Sequence, residues 1–202
     1  IAGRYCNGHV SHYEPMLNEH SQHILDVSVM GSERIPPETA AEAREIATAV
    51  LERFDVVGVL CIELFLAGDG RLIVNEIAPR PHNSGHLTIE AYNCSQFELQ
   101  LRTVCGLPPV VLQKRLPAAA MANLLGQHIP ETWSADQLSA AAAGDTHLHM
   151  YGKTGRRPGR KVGHITAIAE SASAAESTVR TARNRLRLQN AIQNPDGLRI
   201  HQ

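Results

Sequence analysis

Aromatic residues are scarce in this chain, at 4% of 202 residues with a single tryptophan. Charge of one sign is absent too: 19 Lys and Arg stand against 20 Asp and Glu, for a formal net charge of -1. That balance excludes a nucleic-acid binder driven by bulk charge. No apolar run approaches the ~20 residues a membrane span needs, so no membrane is expected as a partner. Cys6, Cys61, Cys94 and Cys105 show no C-x-x-C spacing, and two of them fall inside apolar segments. They read as buried free thiols in a reducing compartment. With no signal peptide at Ile1, a cytoplasmic protein is expected. What is present is an ordinary globular composition, 43% hydrophobic and 19% charged, enough for one large domain or two small ones.

The most informative stretch is Val57 to His86, VGVLCIELFLAGDGRLIVNEIAPRPHNSGH. Apolar residues dominate Val57–Ala67 and Leu72–Ala78, and Gly68-Asp69-Gly70 between them has the composition of a hairpin turn. A two-residue turn at Asp69-Gly70 pairs Gly68 with Arg71, and counting outward places Glu63 opposite Glu76. Like charges facing across a ladder destabilise it, so a cation between them is one reading, with a hard divalent ion the natural choice. Two unrelated surface glutamates is the other, since a one-residue slip separates the pair.

The loop that follows, Asn75 to His86, packs Arg80, His82, Asn83, Ser84, Gly85 and His86 directly after a buried strand. Pro79 and Pro81 exclude helix, and a rigid polar loop at a strand's end is where ligands are met. NEIAPRPHNSGH, with the SQFELQLR after it, closely resembles the 5-(carboxyamino)imidazole ribonucleotide synthase family of the ATP-grasp superfamily. The resemblance covers nearly all of this chain but only about the later half of that family's enzyme, so a fragment or processed chain is expected. It continues at Tyr13–His20, where Asn18 and His20 keep their places. Glu14 intervenes before Pro15 there, and His23 stands where a glycine is common. By chemistry alone, Asn18 and His20 read as turn and surface residues.

Elsewhere the pattern is that of an α+β protein. IAGRY, a Cys6-Asn7-Gly8 turn and HVSHY form a hairpin, and Ile24–Met30 alternates as a strand. Ala40, Ala43, Ile46, Ala47, Val50, Leu51 and Phe54 recur at helical spacing on one sheet-covering helix, with Thr39 or Ser32 as its cap. Leu87–Asn93 and Ser95–Cys105 read as helices, the second opened by a Ser95…Glu98 capping box. Pro108–Pro117 reads as a linker. Beyond it come strands at Leu116–Leu125, His147–Tyr151 and Val162–Ala169, a short alanine-rich helix from Ser134, and a helix over Ala172–Gln193 whose Arg180, Arg183, Arg185 and Arg187 are mostly solvated. The expected division is residues 1–107, the C-terminal part of an ATP-grasp domain, and residues 117–202, a small α+β lobe.

A second candidate site is Tyr151–His164, with five basic residues and a glycine-rich backbone before a buried strand. Such a loop suits a phosphate. A solvated basic loop is the plainer reading, and a nucleic-acid patch lacks aromatics to stack bases. Here YGK and RPGRKVGH resemble the family's late motif, which implies that Lys153, Arg160 and Lys161 hold a ribonucleotide phosphate.

The resemblance implies an ATP-dependent ligase of purine biosynthesis. ATP phosphorylates bicarbonate to carboxyphosphate, and the amine of aminoimidazole ribonucleotide captures the carboxyl group. Glu63 and Glu76 would hold Mg²⁺ on the ATP phosphates, with Asn75 beside them. Arg80 would stabilise carboxyphosphate; His82, Asn83 and Ser84 would contact bicarbonate or the amine, with His82 a proton acceptor and His86 supporting. The position two residues after Glu76, where ATP-grasp relatives often add an asparagine ligand, is Ala78. The full-length family member is implied to be a homodimer with no nucleic-acid partner. The 202 residues alone, lacking the ATP-holding lobe, are expected not to turn over ATP. Two alternatives stay open. One is a sister ligase, such as the formate-dependent glycinamide ribonucleotide transformylase or a biotin-carboxylase-like activator. The other is a non-catalytic folding or dimerisation unit.

Overall fold

The computed structural model describes residues 1–129, 134–135, 139, 144–155 and 157–193. Most of the alanine-rich segment after Ser134, together with Arg156 and the side chain of Arg187, lies outside the described residues. Two antiparallel sheets carry the fold. The first has the order β2-β1-β5-β6, formed by β1 (Ala2–Arg4), β2 (Val10–His12), β5 (Gly58–Leu66) and β6 (Leu72–Ala78). The second has the order β3-β4-β7-β9-β8, from β3 (Met16–Ser21), β4 (Ile24–Met30), β7 (Ala118–Leu125), β8 (Thr146–Met150) and β9 (Lys161–Ala169). Among the described residues four named α-helices pack on them: α1 (Pro37–Arg53), α2 (Thr88–Ala91), α3 (Gln96–Val104) and α4 (Ala172–Gln193). The mixed helix and strand composition is the α+β class expected.

β4 pairs with β7, Val27 against Ala122 and Met30 against Ala119, so an early hairpin and the late strands share one sheet. Every residue of β7 is buried, because both of its faces are covered. On one side Ala120, Ala122 and Leu124 pack with Val179, Ala182 and Leu186 of α4. On the other, Ala119 and Met121 meet Tyr5, Tyr13, Leu87 and Leu99. Small alanines let both layers approach, which is why an alanine-rich stretch is a strand here.

Several local expectations need correction. The N-cap of α1 is Pro36, with no side-chain cap, and Pro37 occupies the first turn where its missing N–H has no intrahelical role. Ser32 instead accepts from the Arg34 N–H at 3.3 Å. Phe54 does not cover the sheet; it is 70% exposed, and Leu51 is the helix residue buried against Ala2 and Leu60. Asn18 lies in a strand rather than a turn, and its Oδ1 accepts from the Ser28 hydroxyl at 2.6 Å. Cys61 and Cys94 are buried free thiols, but Cys6 and Cys105 are exposed. Arg183 is not solvated: it is 4% exposed and grips Asp26 with two guanidinium nitrogens, at 2.6 and 2.9 Å. The stretch read as a linker is tied down, with Gln113 and Asn93 exchanging bonds and Lys114 Nζ 2.7 Å from Glu14.

Candidate functional site

The β5–β6 hairpin does place Glu63 directly opposite Glu76. It does so by a different route from a two-residue turn. Ala67 N–H bonds the Arg71 carbonyl at 2.9 Å, so Gly68-Asp69-Gly70 form a three-residue turn with Gly70 at φ +87°. Leu66, Phe65 and Leu64 then pair with Leu72, Ile73 and Val74, one residue out of step with the simple count. A bulge between Leu64 and Glu63 restores the step, with Asn75 the extra residue. The Asn75 Nδ2 donates to Glu63 Oε2 at 3.4 Å.

The proline loop lays its polar residues beside this pair. His82 Nε2 stands 3.7 Å from Glu63 Oε1, both side chains being less than a fifth exposed. His82 Nδ1 lies 3.0 Å from the Ser84 hydroxyl, which in turn is 3.9 Å from the Cys61 thiol. Burial lowers the His82 pKa, Arg80 and Lys161 lower it further, and Glu63 and Glu76 oppose them. Arg80 is exposed and donates from its guanidinium to the Pro81 carbonyl at 3.1 Å. Both polar atoms of the Asn83 amide are buried without a hydrogen-bond partner, which marks them for a ligand or water.

Lys161, the first residue of β9, reaches the same place. Burial lowers its ammonium pKa, Arg80 and Lys153 lower it too, and Glu63 and Glu76 pull the other way. Lys153 donates to the Lys161 carbonyl at 2.9 Å and lies 5.4 Å from the Tyr151 ring centre. The structure therefore brings Glu63, Glu76, Arg80, His82, Lys153 and Lys161 into one electrostatic group. Arg160 is used otherwise: its guanidinium donates to the Thr154 carbonyl at 2.6 Å and holds its own loop. A cleft of about 350 Å³ opens beside the pair, lined by His12, Asn18, Arg44, Glu63, Asn75 and Ser84 among others.

Among the described residues no cluster of three or more His, Cys, Asp or Glu could hold a metal unaided. Two facing carboxylates nonetheless suit Mg²⁺, which takes one or two carboxylates and fills its shell with phosphate and water.

Sequence reasoning missed one cluster behind the loop. His149 and His164 stack at 4.4 Å between ring centres, and His86 lies 5.1 Å from His164. The Tyr151 hydroxyl is 2.8 Å from His164 Nδ1, and His149 Nε2 is 2.7 Å from Glu90. Burial lowers the pKa of His86 to about 4 and of His164 to about 2. No spacing rule joins Glu90 to His149, which is 59 residues away.

A family model for the ATP-grasp domain matches residues 1–97, and one for the phosphoribosylaminoimidazole carboxylase C-terminal domain matches residues 119–178. The chain belongs to the ATP-grasp superfamily. Among ATP-grasp relatives, the N5-carboxyaminoimidazole ribonucleotide synthase of Bacillus subtilis is 39% identical over 170 residues, covering 84% of this chain and 43% of its own length. The crystal structure of N5-carboxyaminoimidazole ribonucleotide synthetase from Thermus thermophilus is 39% identical and superposes with a TM-score of 0.80, over 92% of this chain and 49% of that one. The synthase from Aspergillus clavatus, solved with ADP and 5-aminoimidazole ribonucleotide, is 29% identical with a TM-score of 0.82, over 92% of this chain and 50% of that one. The chain thus spans about half the length of the relatives it matches. No helix among the described residues is long and apolar enough to cross a membrane.

Proposed function

We propose that this chain forms the carboxylating half of an ATP-dependent carbon–nitrogen ligase, which makes 5-(carboxyamino)imidazole ribonucleotide from aminoimidazole ribonucleotide, bicarbonate and ATP. The observation that carries this reading is that Lys161 of β9 lies within electrostatic reach of Glu63, Glu76 and Arg80, with the two glutamates paired across the hairpin. Cations for a ribonucleotide phosphate and carboxylates for a phosphate-bound metal meet at one site.

Glu63 and Glu76 would hold Mg²⁺ on the ATP phosphates, where the ion supplies neutralisation of charge on the transferred group. Asn75 lines the same cleft as Glu63 and would sit beside the nucleotide there. The γ-phosphoryl group passes to a bicarbonate oxygen, giving ADP and carboxyphosphate. Such transfer depends on positioning and charge rather than on covalent help from the protein. Arg80 extends a planar fork of donors towards carboxyphosphate. Carboxyphosphate releases carbon dioxide and phosphate, the ribonucleotide amine attacks the carbon, and the amine proton passes to His82. The unpartnered Asn83 amide and the Ser84 hydroxyl orient bicarbonate. Lys153 and Lys161 hold the ribonucleotide phosphate; Arg160 contributes by shaping their loop.

The two family matches fall within residues 1–107 and 117–202, which act as two units joined through the β4–β7 pairing. The working protein is a cytoplasmic homodimer. The test is ADP release from this chain completed with the N-terminal half of the Bacillus subtilis relative. Release that requires aminoimidazole ribonucleotide and bicarbonate supports the reading. Release only with formate and glycinamide ribonucleotide assigns a sister ligase instead, and turnover by the 202 residues alone would contradict the need for an ATP-holding lobe.

A further inference from the structure

Gln96 is a fully buried polar side chain with no role in the chemistry above. It opens α3 directly after the N-cap Ser95, whose hydroxyl accepts from the Glu98 N–H. The Gln96 backbone N–H, one of the orphan donors of a helix start, is met by the Thr88 hydroxyl at 2.9 Å. Both of these N–H groups are met without the Gln96 side chain, which turns instead to the proline loop.

There it grips one residue from both sides. Oε1 accepts the His82 N–H at 2.9 Å, and Nε2 donates to the His82 carbonyl at 2.7 Å. The amide acts as a one-residue strand partner for the extended His82 backbone, at φ -121° and ψ 154°. Nε2 also lies 3.0 Å from His86 Nδ1. An amide nitrogen only donates, so its two hydrogens are spent on two acceptors and His86 Nδ1 carries no proton. The neutral His86 ring is thereby fixed with its proton on Nε2, because a reversed amide would set oxygen against the His82 carbonyl and nitrogen against its N–H, losing both backbone contacts.

The loop is built to admit this side chain. A Cβ at Gly85 would stand 2.6 Å from Gln96 Oε1 and 2.8 Å from its Cδ. Gly85 is therefore a glycine because of close approach. Its backbone adopts no left-handed conformation. The His82 ring, anchored through its backbone, reaches Ser84 with Nδ1 and Glu63 with Nε2.

We propose that Gln96 is a positioning residue, setting the His82 imidazole against Glu63 by clamping both backbone groups of His82. The inference rests on the functional reading for His82's part in the reaction. Gln96 touches no substrate; it acts through His82.

The test is a double-mutant cycle on the completed chain, with Gln96→Met, His82→Ala and the double variant, read as kcat and as KM for ATP. Gln96→Met lowers kcat by about 10–100-fold, the usual scale for an orienting partner, and leaves KM for ATP unchanged. In the His82→Ala background it adds nothing, because no ring remains to be aimed. Losses that multiply would overturn the proposal. Nitrogen chemical shifts of the histidine rings give a readout independent of turnover. The single Nε2-protonated form of His86 in the parent chain gives way to a tautomer mixture in Gln96→Met, and unchanged ring spectra would also overturn the clamp. Gln96→Glu, which keeps the shape but loses both donors, replaces Gln96→Met if that variant does not fold, with the same kinetic expectation and with the His86 proton moved to Nδ1, where the carboxylate accepts it. A parent enzyme that shows no ribonucleotide-dependent ADP release sinks the functional reading alone, and the ring spectra then decide the clamp.

Discussion

Glu63 and Glu76 face each other because two irregularities cancel. With the register of the turn alone, set by Leu66 against Leu72, Glu63 would meet Asn75 and Glu76 would meet Ile62 on the opposite face. The bulge at Asn75 adds the single residue that brings Glu76 across to Glu63. A ladder that places like charges together gives up stability, and the proposed Mg²⁺ would offset that loss. On the proposed metal role, Glu76→Gln in the chain completed with its N-terminal half should abolish ribonucleotide-dependent ADP release while leaving folding intact or improved by about 0.2–1 kcal/mol. Thermal melting beside the ADP assay checks both halves, and a variant that is both active and less stable would count against the metal pair.

The fate of that pair shows how far a sequence can be read. Counting outward from a two-residue turn at Asp69-Gly70 puts the two glutamates together, and the structure has that pairing by way of a three-residue turn and a bulge. Neither a three-residue turn nor its compensating bulge leaves a pattern of period two. The strands other than β3, the Ser95 cap and the last helix are legible because each follows from local chemistry. What was not legible depends on residues far apart in the chain. Lys161 joins Glu63, Gln96 clamps His82 and Arg183 grips Asp26 only once the sheets have formed, and side-chain amides that pair with backbone carry no spacing signature.

The β3–β4 turn stores strain that substitution can release. Ser21 pairs with Ile24, and the two residues between, Gln22 and His23, both have positive φ at 50° and 63°. This is the two-residue hairpin geometry that favours Asn-Gly, and a side chain in the left-handed region costs about 1–2 kcal/mol. His23→Gly should stabilise the protein by about 1 kcal/mol once glycine's greater unfolded-state freedom is set against that relief. A urea midpoint that rises checks it; His23→Val, β-branched at the same φ, should lower it.

Arg183 offers a sharper stability test. Its guanidinium is buried and forks onto Asp26, which also lies 3.5 Å from Arg180. Removing one partner of a buried pair leaves the other charge uncompensated, so Arg183→Met should cost about 3–5 kcal/mol. Arg180 remains near Asp26 and places the loss towards the lower end. Pairing Arg183→Met with Asp26→Leu should recover most of it, since no charge is then left buried. Equilibrium denaturation of the three variants decides. A double variant no more stable than Arg183→Met alone would mean that the pair's packing, and not its charge, matters.

Acid should loosen the layer behind the site before it touches the carboxylates. His86 and His164 are held neutral by burial, with pKa values lowered to about 4 and about 2. In the unfolded chain both rings take up protons near pH 6.5. Below that pH the unfolded state binds more protons than the folded one, so stability falls as pH drops from about 6.5 towards 4, by up to about 1.4 kcal/mol per ring per pH unit. Above pH 7 both states are neutral and these rings add no slope. The groups that bear on the cluster are the His82 and His149 rings, the Lys161 ammonium and the Glu90 carboxylate beside His149. Urea midpoints measured from pH 7.5 to 4.5 should therefore be flat at first and then fall steeply. His164→Leu should flatten the fall by about one proton's worth, because a ring that cannot charge in the unfolded chain contributes nothing to the slope. A midpoint that stays level down to pH 5 would show that the cluster accepts protons while folded.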